Sequence, residues 1–371
     1  MKYIRTFNES TNTSEIEAIC EKYNITNYTI NEDGSIDVDG DVYLYNKKLK
    51  VLPLKFRKVS GYFKCSFNEL TSLKGSPQTV GGNFYCSDNQ LTSLVGCPQS
   101  IGGDFDCGYN KLTSLKGSPQ SIGGYFECNN NQLISLEGAP KRVDGDFYCK
   151  DNKLTSLVGC PKSVGGGFYC DSNQLTSLVG CPQSIGGNFE CNYNQLTTLE
   201  GVPQSIGGDY SCGYNQLTSL EGIPQSIDGN FYCSFNKLTS LKGGPQNIGG
   251  NFYCSGNQLT SLEGAPKRVY GDFSCDNNNL KNIDYLSKYY KKLYIGDNPI
   301  TKIIDLFTSS NENERISNRE DKDLIMDFID REIIQQDKLL VNRLVEFLDD
   351  IEKPKTREEL IELLKNNYEI R

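Results

Sequence analysis

The chain of 371 residues contains no histidine and no tryptophan, and only two methionines. Without imidazole there is no Ser-His or Cys-His nucleophile pair and no imidazole–metal site. Long hydrophobic runs are missing as well: nothing approaches the ~18 apolar residues that would span a bilayer, and no hydrophobic signal region opens the sequence. Positive charge never gathers into a stripe. The formal charge is −9, and 18 acids against 11 bases from Asp305 to Arg371 place −7 of it in the last 67 positions. The rest is nearly neutral, with no basic face to neutralise phosphates, so nucleic acid is not expected as a ligand. No Cys-x-x-Cys pair, phosphate-binding loop or nucleophile–base pair occurs, so neither catalysis, a metal nor a cofactor is expected.

What is abundant is cysteine, glycine and repetition. Fifteen cysteines without a secretion signal lead to the expectation of free thiols in a reducing compartment: the cytoplasm, or a host cytoplasm or virion if the protein is viral. Eleven of them, Cys65, Cys86, Cys107, Cys128, Cys149, Cys170, Cys191, Cys212, Cys233, Cys254 and Cys275, stand 21 residues apart. An aromatic lies two before each (Phe63, Phe84 and onward, with Tyr210 once), and an asparagine three after, from Asn68 to Asn278. Leucines follow at Leu70 and Leu73, Leu91 and Leu94; a proline recurs from Pro77 to Pro266. Val80, Ile101 or Ile122 closes the unit before Gly-Gly or a near variant.

Each slot has a physical reading. Phe-x-Cys has the period-2 signature of a very short strand with one buried face. So small a unit cannot bury its apolar side alone, but stacked copies can, which predicts a solenoid with parallel strands along one wall. Asparagine just past the strand can satisfy the turning backbone with both donors and acceptors. Proline on the opposite wall favours extended, polyproline-like chain, and the glycines allow a tight corner.

The segment FYCSDNQLTSL, residues 84–94, resembles the leucine-rich repeat pattern LxLxxNxLxxL, with Phe and Cys in the first two apolar slots. Leu-x-x-Leu followed by Pro is similar to the short, helix-free repeats of secreted bacterial effectors, with one additional residue at the corner. The resemblance covers roughly residues 38–304. It implies a right-handed β-solenoid with short parallel strands and an extended convex side, and a non-catalytic scaffold that binds a protein through its strand-lined concave face. Some relatives of this class carry a cysteine-dependent ubiquitin-ligase domain; no cysteine follows Cys275, which excludes that mechanism in this chain. The opening MKYIRTFNES resembles capsid-targeting leaders of internal head proteins of large tailed phages. It implies the alternative role, a structural or virion-associated protein whose solenoid only packs.

Stacked coils set equivalent cysteines ~4.8 Å apart with parallel side chains, a line that suits neither a disulfide nor a tetrahedral zinc site. The ladder thiols read as small core filler beside each ring. Cys97, Cys160 and Cys181 share another slot, before proline, where Ser76, Ala139 and Val202 also stand.

Three segments are expected. Residues 1–37 form an N-terminal α/β cap: a helix with Ser14 and Glu17 as a capping box and Ile16, Ile19 and Cys20 on one face, then a hairpin around Asp33-Gly34. Residues 38–304 form the solenoid, opened by a degenerate coil at Val38, Val42 and Leu44 and closed by Leu293, Ile295, Asn298 and Ile300. Residues 305–371 form an acidic helical cap or module, with stripes at Leu324, Ile325, Phe328 and Ile329, at Leu340, Leu344, Phe347, Leu348 and Ile351, and a last helix carrying Leu360, Leu363 and Leu364 behind a Thr356/Glu359 capping box. Asp37, Asp39 and Asp41 read as solvated strand and turn carboxylates, because a calcium loop needs more spaced oxygens and a closing Glu.

The partner surface is expected on the outward strand row, Lys64, Tyr85, Asp106, Glu127, Tyr148, Tyr169, Glu190, Ser211, Tyr232, Tyr253 and Ser274. Beside the asparagine column it continues with Phe67, Tyr109, Tyr193, Tyr214 and Phe235. Tyrosine offers contact area with a polar tip at little entropy cost. Its strand propensity would also produce a self-stacking ladder for stability alone. The ligand expected is a protein bound by a monomer, with no membrane and no nucleic acid.

Overall fold

A computed structural model describes residues 13–309, 316–335 and 337–371, so the phage-like opening lies outside the described residues. The chain divides into two compact units, Met1–Glu190 and Cys191–Arg371.

The first unit opens with helix α1, Thr13–Lys22, which buries Ile16 and Cys20. Ser14 lies inside this helix and not at its cap, so the expected Ser14/Glu17 box is not the N-terminal device. The hairpin forms as read: Tyr28–Ile30 pairs antiparallel with Ile36–Val38, and the Asp33 carboxylate accepts from Ser35 N–H at 3.1 Å in the turn. From Val42–Tyr43 onward, two-residue strands stack in parallel and in register. Val42 pairs with Phe63, Phe63 with Phe84, and the row runs on to Phe168 with Phe189. Val42 and Leu44 occupy the Phe and Cys slots of the degenerate first coil, and both are sealed from solvent.

The opposite wall is also laddered. Val or Ile at the end of each unit sits in a second parallel sheet, Thr79–Val80 beside Ser100–Ile101 and on to Ser184–Ile185, with Ser outside and the aliphatic residue inside. Proline confines this sheet to two residues because it cannot donate; pairing begins just after it, with Gln99 N–H on Gln78 C=O at 2.9 Å. The coils meet most closely at the corner, where a Cβ on Gly102 would collide with the Gly81 carbonyl oxygen.

Between the sheets lie columns of Phe, Cys, Leu and Val or Ile, with the ladder cysteines at 0% exposure. The Phe rings from Phe63 to Phe189 follow one another at 5.0–6.2 Å. No disulfide forms among the described residues, and burial pushes the thiols up, Cys65 to about 12. Cys160, in the slot before proline, is only half-buried.

The asparagine column closes the turn below the strands. Asn89 Oδ1 accepts from Leu70 N–H at 2.9 Å, and its Nδ2 donates to the carbonyls of Cys65, Cys86 and Ser87 at 3.0, 3.2 and 3.1 Å. Each amide therefore ties its own coil to the one before it. Asp37, Asp39 and Asp41 also bridge coils: Asp37 accepts from Arg57 Nε at 2.8 Å, Asp39 from Ser60 Oγ at 2.8 Å, and Asp41 from Tyr62 N–H at 2.7 Å.

The second unit repeats the pattern. Tyr210–Ser211, Phe231–Tyr232, Phe252–Tyr253, Phe273–Ser274 and Leu293–Tyr294 stack in parallel. Asn298 continues the column, its Oδ1 accepting from Leu280 N–H at 3.0 Å. Past the last strand come α2 (Thr301–Ile304), α3 (Arg319–Asp330), α4 (Val341–Asp350) and α5 (Arg357–Leu364). Ile316 and Leu293 exchange both backbone hydrogen bonds, at 2.9 and 2.8 Å, so the edge of the final strand is paired. Thr356 and Glu359 form the capping box read from sequence. Ile325, Phe328, Leu344, Phe347, Leu348, Leu360 and Leu364 are buried as their spacing implies, whereas Leu363 is 45% exposed. Three short strands, Ile334–Gln335, Lys338–Leu339 and Glu369–Ile370, join the helices and were not anticipated.

Candidate interaction surface

Outward side chains on the strand wall are fixed by the core beneath them. Because Phe and Cys of each strand point inward, the residue between them must point out, and the stacking register sets those residues side by side. In the first unit the pairs are Lys64 with Tyr85, Tyr85 with Asp106, Asp106 with Glu127, Glu127 with Tyr148, Tyr148 with Tyr169, and Tyr169 with Glu190. In the second, Tyr232 pairs with Tyr253. All are half-buried, covered on two sides by neighbouring coils. Ser274 departs from the row: small and bonded to Ser255 Oγ at 2.6 Å, it is buried between its neighbours.

The tyrosines pair face to face. Tyr148 and Tyr169 stack at 4.7 Å and 8°, Tyr232 and Tyr253 at 4.9 Å and 5°. The Tyr148 hydroxyl donates to Asp146 at 2.7 Å. Desolvation raises the Tyr148 hydroxyl above its ordinary value, and the Asp146 carboxylate adds to the rise.

The aromatics beside the asparagine column are exposed: Phe67 50%, Tyr109 55%, Tyr193 55%, Tyr214 45%, Phe235 47%. Every one of them has a left-handed backbone, with φ between 50° and 57°. The same slot holds Asp88, Asn130, Asp151, Gly256 and Asn277, residues that adopt this conformation at low cost. A bulky ring there strains the chain by roughly 1–2 kcal/mol. Tyr193, Tyr214 and Phe235 recover part of that by stacking at 4.3 and 4.5 Å. Tyr109 stacks on no other ring among the described residues. The sequence carried the signal, since Asp, Asn and Gly share a slot with Tyr and Phe.

Charge on the first unit's wall is arranged in two ways. Lys150 bridges Asp171 at 2.9 Å and Glu190 at 3.1 Å, and its ammonium lies 4.7 Å from the centre of the Tyr169 ring. Asp106 and Glu127 instead accept from Gly108 N–H at 2.9 Å and Asn129 Nδ2 at 3.0 Å. Desolvation raises both carboxyls, and their mutual repulsion lifts Glu127 further. Lys150 and Gly108 share the slot one past the cysteine, whose outward reach the strand alternation alone does not disclose. The lone lysine in that row was the available clue.

No family model matches the sequence, and no curated protein matches it. Solved structures do. A chain of the LRIM1/APL1C complex aligns with 89% of this chain and 67% of that one at 16% identity, with a TM-score of 0.52. The fold is a leucine-rich repeat solenoid. YopM from Yersinia enterocolitica WA-314 also aligns, at 22% identity over 70% of this chain and TM-score 0.43, but the match spans only 64% of that protein's length. YopM from Yersinia pestis, described as a leucine-rich effector protein, aligns at 22% identity over 70% of this chain and 77% of that one, with a TM-score of 0.48. In these leucine-rich repeats Phe and Cys replace the first two leucines, and the asparagine keeps its place. No helix among the described residues is long and apolar enough to cross a membrane.

Proposed function

We propose that this leucine-rich repeat chain is a non-catalytic protein-binding scaffold whose partner lies on the strand-lined wall. The observation that carries the reading is the set of exposed aromatics held in left-handed backbone, above all Tyr109, which has no stacking partner among the described residues to offset its strain. Strain kept at an exposed ring is what a contact residue needs: area, rigidity and a polar tip ready before the partner arrives. A solved complex, LRIM1/APL1C, includes a chain with this fold, which fits the reading. In the first unit the stacked pair Tyr148 and Tyr169 serves as an anchor, Asp106, Glu127 and Glu190 orient the partner, and Tyr85 extends the surface; Tyr193, Tyr214, Tyr232 and Tyr253 are the contact residues proposed for the second unit.

The test begins with a partner captured by the native chain from its host and identified by mass spectrometry. Its affinity is then measured by calorimetry. Replacing Tyr148 and Tyr169 together by Ser should weaken binding by about 2 kcal/mol or more. Gln99 and Gln183, exposed on the opposite side of their coils, should be replaceable by Ser without effect. Normal binding by the tyrosine variant, or its unfolding, would show that the pair is a structural ladder.

A further inference from the structure

The wall of the first unit already holds two of the chain's own lysines, and they show which chemistry it accepts. Lys150 lies between Asp171 and Glu190 and against the Tyr169 ring. Lys64 sits 4.7 Å from the centre of the Tyr45 ring and 5.8 Å from that of Tyr85. Both seats combine an aromatic face with the wall, and the Lys150 seat adds two carboxylates.

Between these lysines the wall offers the same elements without a cation. Asp106 and Glu127 are register partners on adjacent strands. Among the described residues neither forms an ion pair; Lys64 favours the charged form of Asp106 only through its field. Gly108 stands in the slot that Lys150 fills two coils later. Gly108 is buried, and a Cβ there would lie 3.2 Å from Asp106 Oδ1, 3.4 Å from the Asn129 carbonyl oxygen and 3.6 Å from Glu127 Oε1, so both carboxylates flank the slot that Lys150 fills in its own coil. Tyr109, next in the chain, is the strained and exposed ring described above.

We propose that this part of the wall docks a lysine- or arginine-bearing segment of a partner protein, with its cation between Asp106 and Glu127. The inference rests on the scaffold reading and adds the partner's chemistry. Charge complementarity decides the occupant. Asp88, Asp106 and Glu127 would repel an acidic or phosphorylated segment, while a cation relieves the repulsion among them. Two carboxylates are too few for calcium, which takes six to eight oxygens.

The probe is a fluorescent decapeptide of alternating lysine and serine, titrated into the full chain; its glutamate–serine counterpart is the comparison. The lysine peptide should bind and the glutamate peptide should not. Asp106→Asn with Glu127→Gln should weaken lysine-peptide binding at least about fivefold. Gly108→Lys, which supplies an internal cation as Lys150 does, should weaken it as much. Glu137→Gln with Glu200→Gln removes the same charge at exposed positions and should change affinity less than about twofold. Equal losses in the two charge-neutralised variants, undiminished binding to Gly108→Lys, or equal binding of the glutamate peptide would each overturn the proposal. Those outcomes leave the scaffold reading standing, because the tyrosine pair and the host partner test it separately. Circular dichroism of each variant checks the fold, and Gly108→Lys decides the question if the double carboxylate variant fails to fold.

Discussion

Asp106 and Glu127 keep their charge at a cost. Burial raises both above the ordinary 3.8 and 4.5, so the folded chain holds their protons more tightly than the unfolded chain does. A carboxylate with a raised folded value contributes stability below its unfolded value and loses it as pH rises through the folded one. At neutral pH both residues are therefore destabilising. Asp106→Asn and Glu127→Gln should each raise the thermal midpoint at pH 7, and the gain should fade toward about pH 3, where the native carboxyls are protonated. Matched melting curves at the two pH values check this; an unchanged midpoint at pH 7 contradicts it. At this scale the sequence was partly legible. Alternation with Phe and Cys sufficed to point Tyr148 or Glu127 outward. It could not reveal that Tyr109 bends left-handed, because Tyr and Phe say nothing by themselves about φ; only comparison with Asn130 and Gly256 in the same slot does. Nor could it show Lys150 reaching Glu190, since that contact spans two coils.

The element that fixes the coil is the strand with its following asparagine. Asn152 Oδ1 accepts from Leu133 N–H at 3.1 Å, while Nδ2 donates to the carbonyls of Cys128, Cys149 and Lys150 at 3.0, 3.3 and 3.1 Å. Asn152→Ala would remove the amide that pairs all four of these buried groups. A loss of about 2–4 kcal/mol is expected, read as a lower urea midpoint and faster hydrogen exchange at Leu133 N–H. Lys153→Ala, at the exposed neighbour, should leave both unchanged. This element was legible because an amide repeated at one spacing has few other uses. The second sheet was not: a lone aliphatic residue such as Ile101 before Gly-Gly has no alternation around it, and proline three residues earlier argues for chain without a ladder. Its strands exist because stacking aligns them, a cooperative cause absent from any single unit.

At the scale of the whole molecule the terminal segments matter most, because an open coil exposes both apolar columns and unpaired strand groups. In the second unit Ile316 pairs with Leu293, the Tyr368 hydroxyl donates to Lys281 C=O at 3.0 Å, and Lys353 Nζ donates to Phe307 C=O at 2.7 Å. Truncation after residue 304 should produce self-association or a lower melting temperature, measured by light scattering and calorimetry. A monomer with an unchanged melting curve would mark the helices as a separate module. Helical spacing disclosed α3, α4 and α5, but Glu369–Ile370 is too short to announce itself as a strand. The asparagine column has a further consequence, for how such a chain can change length. From aromatic to asparagine the count is constant, Phe63 to Asn68 and Leu293 to Asn298 alike, even though the final turn is one residue shorter than the rest. The missing residue comes out of the stretch between Asn278 and Leu293, around the corner. The span from strand to asparagine thus behaves as the tooth of a ratchet and the corner as its slack: a residue gained or lost at the corner is absorbed, whereas the same change within the tooth disengages one turn from the next.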